Sequence, residues 1–485
     1  MGTKVESDVR DVVEEGKRAP IGRVAVGVIT VCLHAVGALV TVLVSIGEPA
    51  IGRALGIPEI RDNRLTEAFM AAQVCLLPIT GRLIAAWGVA AVLRRCSLGF
   101  IAAAIATVAV ASSPTLRSLD SLVLLLVLQG MFAAPLTPAT QALVVRTYPE
   151  AARTRGLALW AIGQYAGFVV GALLAGWIVE NVAWQSLFAI APVVAAIPLP
   201  FLRRDLRLHT KNPRALRSVA AGAIVALGIC LAVAAPFLAE TAVDAARIAT
   251  GMAALVGLFA FELARPGGRR LPPDLGRASL RTIGDRWFAV AAALTLGVQA
   301  FTTGQFEVLL LQGPLDVPAE LVSLRTLVGG LTQIGAAAAV GYLLGRGWLR
   351  AAIAVSLLVM AVGTATYATY VPGVGDATLL WTRVVVGLGG GAAMPVLATV
   401  AFRHLPTALT PQGATIFAVA NSLGVLAGLI LLDTVFAIAT GAGQTELAAY
   451  HTIIDVEAAG LLALLFLTLL LRPRADEAGD PGTSR

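Results

Sequence analysis

The sequence predicts an all-α integral membrane protein with fourteen transmembrane helices and both termini in the cytoplasm. Composition is the first observation behind this prediction. Of the 485 residues, 58% are apolar and only 13% are charged, and the mean hydropathy is +0.83. A soluble domain has about a quarter of its residues charged. The apolar residues are enough for about fourteen spans of ~20 residues each.

Apolar runs of spanning length are the second observation. An even number of such runs places both chain ends on one side of the membrane. The fourteen runs lie at about 24–47, 66–86, 96–112, 120–144, 157–179, 184–202, 217–238, 247–264, 287–311, 320–344, 351–371, 377–400, 412–433 and 453–471.

The distribution of basic residues is the third observation. Of the 36 Lys and Arg residues, 29 fall in the tails and alternate loops that share a side with the N-terminus, and 5 fall on the other side. The remaining two, Arg325 and Arg383, lie within spans. Because cytoplasmic loops carry the excess of Lys and Arg, the N-terminal side is predicted to be cytoplasmic.

Two basic loops divide the chain into six spans, two spans and six spans. The two six-span halves echo each other, as in transporters built from repeated bundles. The predicted order is a cytoplasmic tail at 1–22, a six-helix bundle at 23–203, a cytoplasmic linker at 204–216, two inserted spans at 217–264, a second linker at 265–286, a second six-helix bundle at 287–472 and a cytoplasmic tail at 473–485.

Several classes of function are excluded by residue usage. The four cysteines and four histidines lack metal or disulfide spacing, and neither a nucleophile cluster nor a phosphate-binding loop is present, so we expect no enzyme, no metal and no cofactor. The net charge of +7 is spread between apolar runs, which argues against nucleic acid. The expected partners are the lipid bilayer and a small-molecule substrate, with protons as an open alternative.

A ridge of glycines marks the fifth span. Gly163, Gly167 and Gly171 follow one another at intervals of four, and Gly176 comes shortly after them. On a helix they form a line almost without side chains. In a bilayer the helix persists because its backbone has no water to bond, so a bare ridge predicts close approach by another helix.

This glycine spacing, followed by Trp177, Trp184 and Phe188, resembles the fifth span of the major facilitator superfamily, in its fourteen-span drug:proton antiporter branch. The loop after the second span resembles the inner-loop motif of that family, although Ala85 stands where the family has an acid. The residues that match this motif are Gly81, Arg82, Gly88, Arg94 and Arg95.

The resemblance implies a transporter that moves an amphipathic organic molecule, such as a drug-like compound or metabolite, outward across the plasma (inner) membrane by alternating access. Arginine outnumbers lysine 33 to 3, a composition that suggests a bacterial source. The family's proton-handling aspartate and arginine fall on Val40 and Leu126, so proton coupling stays open. Two alternatives are an uncoupled facilitator or lipid or metabolite carrier, and a membrane scaffold or sensor that transports nothing.

A polar stripe on the ninth span is the expected wall of a central cavity. Its members are spaced at i, i+3, i+4, i+7 and i+8, which is one helical face. Polar side chains on one face of a membrane helix are expected to line water or ligand. The stripe consists of Gln299, Thr302, Thr303, Phe306 and Glu307.

Three charged side chains within spans are candidates for coupling or gating. A charge at the centre of a bilayer costs at least about 2.5–3.5 kcal/mol, so each needs a partner. We expect Glu307 to pair with Arg325 or with Arg383 near the outer mouth. A proton-coupling role and a plain structural ion pair both remain open.

Neutral polar side chains within other spans complete the candidate cavity. His34 lies about 16 Å into the first span and is a candidate proton carrier or a neutral packing histidine. Acids near the outer span ends, Glu48, Asp433, Asp455 and Glu457, are expected to be interfacial. The remaining cavity candidates are Gln73, Gln129, Gln164, Tyr165 and Asn421.

Overall fold

A computed structural model describes residues 22–56, 64–149, 152–202, 286–302, 304–343, 348–403, 405 and 410–470. These residues are mainly α-helical, with short turns and 3₁₀ segments at some helix ends. Within them, nine helical stretches are long and apolar enough to cross a membrane, and shorter apolar helices accompany them. The two predicted inserted spans at 217–264 and both predicted tails lie outside the described residues, apart from Gly22. The fourteen-span count and the domain boundaries therefore stay predictions.

The first half of the molecule comprises α1 to α7. Helices α4 and α5 are separated at Pro135, which lacks the N–H needed to continue the helix. The helices are α1 (Arg23–Leu55), α2 (Arg64–Trp87), α3 (Val89–Ser112), α4 (Leu119–Ala133), α5 (Leu136–Thr147), α6 (Arg153–Asn181) and α7 (Leu187–Ala196).

The second half comprises α8 to α14. Short 3₁₀ turns occur at Trp184–Ser186 and Leu199–Phe201 in the first half and at Tyr367–Thr369 in the second. The helices are α8 (Arg286–Ala300), α9 (Gly304–Gln312), α10 (Ala319–Leu343), α11 (Leu349–Thr366), α12 (Asp376–Phe402), α13 (Thr410–Gly441) and α14 (Glu446–Leu470).

The ninth span, predicted to be continuous over 287–311, is two helices. Helix α8 ends at Ala300 and α9 begins at Gly304. The Thr302 hydroxyl donates to the Val298 carbonyl at 2.6 Å, a local bond that competes with the helical ladder. Gly304 adds a residue of low helix propensity. The prediction of one uninterrupted polar face was therefore wrong.

The two ends of the molecule differ in how the halves meet. We call the end where α1, α3 and α6 begin the basic end, and the opposite end the far end. One buried cluster near the basic end contains residues of both halves, including Leu157 and Trp160 from α6 with Phe402 from α12. At the far end each half has a separate buried cluster. A smaller cluster also joins the halves, with Val74 of α2 beside Ala418 and Leu423 of α13. Helices α6 and α10 stay in contact toward the far end, where Gly176 faces Ser323. The largest apolar cluster that both halves share is thus the one near the basic end.

Candidate functional site

A buried charged cluster lies in the second half, near the far end. Arg383 Nη1 of α12 donates to Glu307 Oε2 of α9 at 3.0 Å, and Arg325 Nη1 of α10 pairs with Glu307 Oε1. Arg325 is only 2% exposed, and its Nε donates to the Leu379 carbonyl at 2.9 Å. The structure thus joins Glu307 to both arginines that the sequence offered as alternatives, and one carboxylate links three helices.

Aromatic rings border the Arg325 guanidinium. Its central carbon lies 4.8 Å from the ring centroid of Tyr367 and 5.8 Å from that of Tyr370. At this distance the negative face of an aromatic ring attracts a cation, by more than about 1 kcal/mol where water is excluded. The rings therefore help to hold Arg325 in an apolar surrounding.

A small cavity adjoins the cluster and has room for about one water molecule. Glu457 of α14 is one of its wall residues and is 8% exposed, so the expectation that Glu457 is interfacial was wrong. The sequence carried a signal that we missed, since Tyr450, Ile453, Ile454 and Glu457 are spaced as one helical face. The cavity is lined by Phe306, Glu307, Leu310, Tyr367, Tyr450, Ile453, Ile454 and Glu457.

Two amides connect α8 and α13 closer to the middle of the molecule. Gln299 Nε2 donates to Asn421 Oδ1 at 2.6 Å and lies 3.7 Å from the sulfur of Met394. Both amide side chains are half-buried. The helix break separates this pair from Glu307. The residues of the predicted stripe therefore lie in two different places, with Gln299 beside Asn421 and Glu307 in the charged cluster. Thr302 bonds to the Val298 carbonyl of α8, and Thr303 lies outside the described residues.

His34 lies where α1 meets α6. Its Nδ1 donates to the Trp160 carbonyl at 2.6 Å, and the two rings are stacked with centroids 4.1 Å apart. Trp160 in turn meets Phe417 of the second half edge-on at 6.5 Å. His34 is 5% exposed, so the imidazole is buried at the boundary between the halves.

The other predicted cavity residues fall into two groups. The Tyr165 hydroxyl donates to the Gly390 carbonyl across the halves at 3.0 Å, and Gln164 beside it is half-buried. Gln73 is half-buried and lies against Gly37 of α1. Gln129 does not join them: it is 1% exposed and donates to Thr107 at 2.7 Å inside the first half.

The glycine ridge of α6 packs against α1. A methyl group added at Gly163 would lie 2.9 Å from the Val31 carbonyl oxygen, and one at Gly171 would lie 2.9 Å from Val42 Cβ. One at Gly167 would collide with the Ala35 carbonyl oxygen. Such bare approach surfaces are typical of packed membrane helices. Gly176 instead faces Ser323 of α10, whose hydroxyl oxygen would lie 3.8 Å from a methyl group added at this glycine.

The inner-loop motif at the basic end lacks the family's acid, because Ala85 stands in its place. Gly88 has φ +80°, which favours glycine at the turn into α3. Arg95 lies over the Trp87 ring at 4.7 Å. Gly81 is buried, Arg94 is half-buried, and the side chain of Arg82 lies outside the described part of the chain.

Arginines at the start of α6 make the contacts across the halves instead. Arg153 Nη1 donates to the Phe402 carbonyl at the end of α12 at 2.8 Å. The Arg155 guanidinium lies 5.6 Å from the ring of Tyr342 in α10. Carbonyls at a helix C-terminus lack intrahelical donors and carry partial negative charge, so a guanidinium is a favourable partner there.

Glu48 is a buried capping residue. It is 2% exposed and accepts from the Leu65 backbone N–H at 2.6 Å and from the Thr66 hydroxyl at 3.0 Å. These donors lie in the first turn of α2, where backbone N–H groups lack helical partners. The expectation that Glu48 is interfacial was therefore wrong, whereas Asp455 is exposed.

Comparison with known proteins agrees with this architecture. Residues 29–429 match the family described as Major Facilitator Superfamily. The puromycin resistance protein pur8 of Streptomyces alboniger is 30% identical over 425 residues, which cover 84% of this chain and 80% of pur8. The human organic anion transporter MFSD10 superposes with a TM-score of 0.62 at 16% identity, covering 93% of this chain and 100% of that one.

Shorter matches connect the chain to bacterial export proteins. The fatty acid resistance protein FarB of Neisseria gonorrhoeae is 33% identical over 150 residues, 31% of this chain and 28% of FarB. The multidrug export protein EmrB of Escherichia coli is 29% identical over 188 residues, 39% of this chain and 36% of EmrB. The chain thus matches about a third of the length of these two relatives.

The helical architecture, the family match over most of the chain and the similarity to pur8 confirm the resemblance seen in the sequence. They identify a multi-pass membrane protein of a transporter family rather than an enzyme. The chain belongs to the Major Facilitator Superfamily, and its distant homologues are drug:proton antiporters of the EmrB and FarB type.

Proposed function

We propose that this protein exports an amphipathic organic molecule across a bacterial plasma membrane by alternating access between its two halves. The observation that carries the proposal is the position of the largest apolar cluster that both halves share, which lies near the basic end. One buried cluster contains residues of both halves at the basic end, whereas each half has its own cluster at the far end. This arrangement suits a transporter whose halves rock about a site between them.

The relatives support export and a plasma-membrane location. FarB and pur8 are named for resistance to fatty acids and puromycin, and EmrB for multidrug export. All three come from bacteria. The substrate class we propose is therefore an amphipathic organic compound with a large apolar part, and efflux is the proposed direction.

We further propose that coupling to protons uses the second half. The family's proton-handling positions hold Val40 and Leu126, which are 4% and 0% exposed within the far-end cluster of the first half. Apolar side chains fill the space around both positions. Glu307, held by Arg325 and Arg383, is the buried carboxylate that links three helices of the second half.

The test uses the purified full-length protein in liposomes. Puromycin, a long-chain fatty acid, a cationic dye and a neutral dye are supplied with and without an imposed pH gradient. Coupled export predicts that the gradient drives accumulation of at least one probe, and that Glu307→Gln abolishes this accumulation while downhill exchange persists. Unchanged coupled transport by Glu307→Gln would refute the role of Glu307.

An uncoupled carrier is the second candidate, and the replacement of the family's acids by Val40 and Ala85 favours it. It predicts transport that ignores the pH gradient in both the wild type and Glu307→Gln. A scaffold or sensor predicts no transport of any probe and no loss of resistance when the gene is deleted. The liposome experiment and the gene deletion together therefore separate the three functions.

A further inference from the structure

Two carboxyl groups line the small cavity beside the charged cluster. Glu307 comes from α9 and Glu457 from α14, and their side chains are 11% and 8% exposed, respectively. The cavity has room for about one water molecule. Ionised carboxylates buried away from bulk water need nearby positive charge or a proton, because their hydration is lost.

A buried hydroxyl in the same cavity wall is an independent sign of a small polar occupant. Tyr367 is 4% exposed and lines the cavity, and its hydroxyl lies near the Arg383 guanidinium but makes no hydrogen bond of ordinary geometry within the described part of the chain. A phenol can both donate and accept a hydrogen bond. Together with the two carboxyl groups, it would complete the partners of a single water molecule.

A proton added to either glutamate of the cavity changes the charge balance of the cluster. With both glutamates ionised, their two negative charges match the two positive charges of Arg325 and Arg383. One added proton leaves the cluster with an excess positive charge. Coulomb interactions are several times stronger at a partly buried site than in water, so one proton alters the attraction between the helices that carry these residues.

We propose that Glu457 is the second carboxyl of a proton-exchange pair with Glu307, a role that rests on the proton-coupled function proposed above. The O–H bond of protonated Glu457 breaks as its proton passes to a water in the cavity. That water gives one of its own protons to the Glu307 carboxylate. Glu457 becomes the carboxylate, Glu307 becomes the carboxylic acid, and the water is regenerated.

Helix α12 connects this exchange to the contacts between the halves. It carries Arg383, whose partner Glu307 is neutralised when the proton arrives. Its Gly390 carbonyl accepts from Tyr165, and its Phe402 carbonyl accepts from Arg153. A proton that weakens the ion pair between Glu307 and Arg383 therefore alters the packing of α12, which is the helix that bonds to the first half.

Other titratable groups on the elements around Glu457 are few in the described structure. On α14 itself, Asp455 is exposed, and His451 Nε2 lies 2.9 Å from the Tyr370 carbonyl oxygen. Arg350 of α11 bonds to the Thr468 and Leu469 carbonyls at the basic end. Further groups on these elements are Glu307 of α9, Tyr367 beside α11, Tyr450 and Glu446 of α14, and Asp433 of α13, whose side chain lies outside the described part of the chain. Glu457 itself has a further polar or charged partner.

Infrared difference spectroscopy tests the pair without any transported substrate. The full-length protein in liposomes is cycled between alkaline pH and a pH well above about 4, so that exposed carboxyl groups stay ionised throughout, and the C=O band of protonated carboxylic acids is recorded. We expect a reversible band that is lost in Glu457→Gln, titrates at a different pH in Glu307→Gln, and persists in the control Asp455→Asn on the same helix. An unchanged band in Glu457→Gln overturns the proposal.

Two further measurements keep the result interpretable. Size-exclusion chromatography and thermal unfolding establish that each variant is folded, and Glu457→Asp, which keeps a carboxyl group, replaces Glu457→Gln if the latter does not fold. Glu457→Asp is expected to shift the frequency of the band, and an unshifted band overturns the pair. If the wild type transports no probe but the infrared band behaves as expected, export is refuted and the pair stands. If the wild type transports a probe but the band is unchanged in Glu457→Gln, only the Glu457 pair is refuted.

Discussion

Arg383 Nη1 and Glu307 Oε2 lie 3.0 Å apart although the two residues are 76 positions apart in the chain. The contact joins the second turn of α12 to the first turn of α9, and Arg325 from α10 approaches the other carboxylate oxygen. Removing one member of a buried ion pair leaves its partner's charge buried without compensation. The pair is therefore a point at which stability and coupling can be tested separately.

Glu307→Gln is expected to destabilise the protein by about 3–5 kcal/mol, because the buried Arg325 and the partly buried Arg383 lose their shared carboxylate. Thermal unfolding in detergent measures the effect as a lower midpoint temperature. Glu320→Gln is the matched control, since Glu320 is an exposed acid at the start of α10. Equal midpoints for the two variants would contradict a stabilising role for the Glu307 cluster.

Gly167→Ala is expected to destabilise the contact of α6 with α1 by about 1–3 kcal/mol, since the added methyl group would overpack against the Ala35 carbonyl oxygen. Thermal unfolding again measures the change. Gly335→Ala is the control, because a Cβ at this helical glycine of α10 meets nothing within 4 Å. If Gly167→Ala unfolds at the same temperature as Gly335→Ala, the ridge does not require glycine.

The sequence alone predicted the features that follow from the cost of burying a charge or from the spacing of residues on a helix. A charge within an apolar helix requires a partner, and this requirement alone predicted that Glu307 would meet Arg325 or Arg383. A bare ridge at Gly163, Gly167 and Gly171 predicted a closely packed helix without indicating that the helix would be α1. These inferences needed only the cost of burying charge and the spacing of a helix.

The features that the sequence did not predict depend on tertiary context. The break between Ala300 and Gly304 interrupts an apolar pattern that continues through it. Position near a span end suggested that Glu457 was interfacial, but it is 8% exposed and shares a cavity wall with residues of α9 and with Tyr367 of the 3₁₀ turn after α11. Gln129 turns toward Thr107 because packing within the first half offers an acceptor there. Periodicity alone does not specify such partners.

Variants of the Gln299–Asn421 pair can show whether these two amides stabilise the protein or bind substrate. Gln299→Leu alone is expected to cost about 1–3 kcal/mol, because Asn421 loses its donor. The double variant Gln299→Leu with Asn421→Leu is expected to recover most of that stability, since replacing both partners by apolar groups can be nearly neutral. Thermal unfolding of the single and double variants measures the coupling.

Transport by the same double variant then tests the cavity role. If the two amides bind substrate, the double variant regains stability but its transport in liposomes falls at least tenfold. Thr302→Val is a suitable control on the adjacent turn, because the Thr302 hydroxyl bonds to its own helix at Val298. Wild-type transport by a stable double variant would assign the pair to packing alone.

Arg153→Gln is expected to loosen the closure of the halves at the basic end. The guanidinium that bonds to the Phe402 carbonyl would be replaced by a shorter, neutral amide, and a charge-assisted hydrogen bond of about 1.5–3 kcal/mol would be lost. A change of 1.4 kcal/mol is tenfold in an equilibrium constant, so a minor open state should become readily measurable.

Spin labels at Pro149 and Trp348 measure this opening, because both positions are exposed and flank the basic end in different halves. In a background without the native cysteines, Arg153→Gln should move the distance distribution between the labels toward longer values. Arg117→Gln is the control, since Arg117 lies over the Trp184 ring within the first half. A distribution identical to that of Arg117→Gln would mean that other contacts hold the halves closed, with the Tyr165 hydroxyl bond to Gly390 as the next candidate.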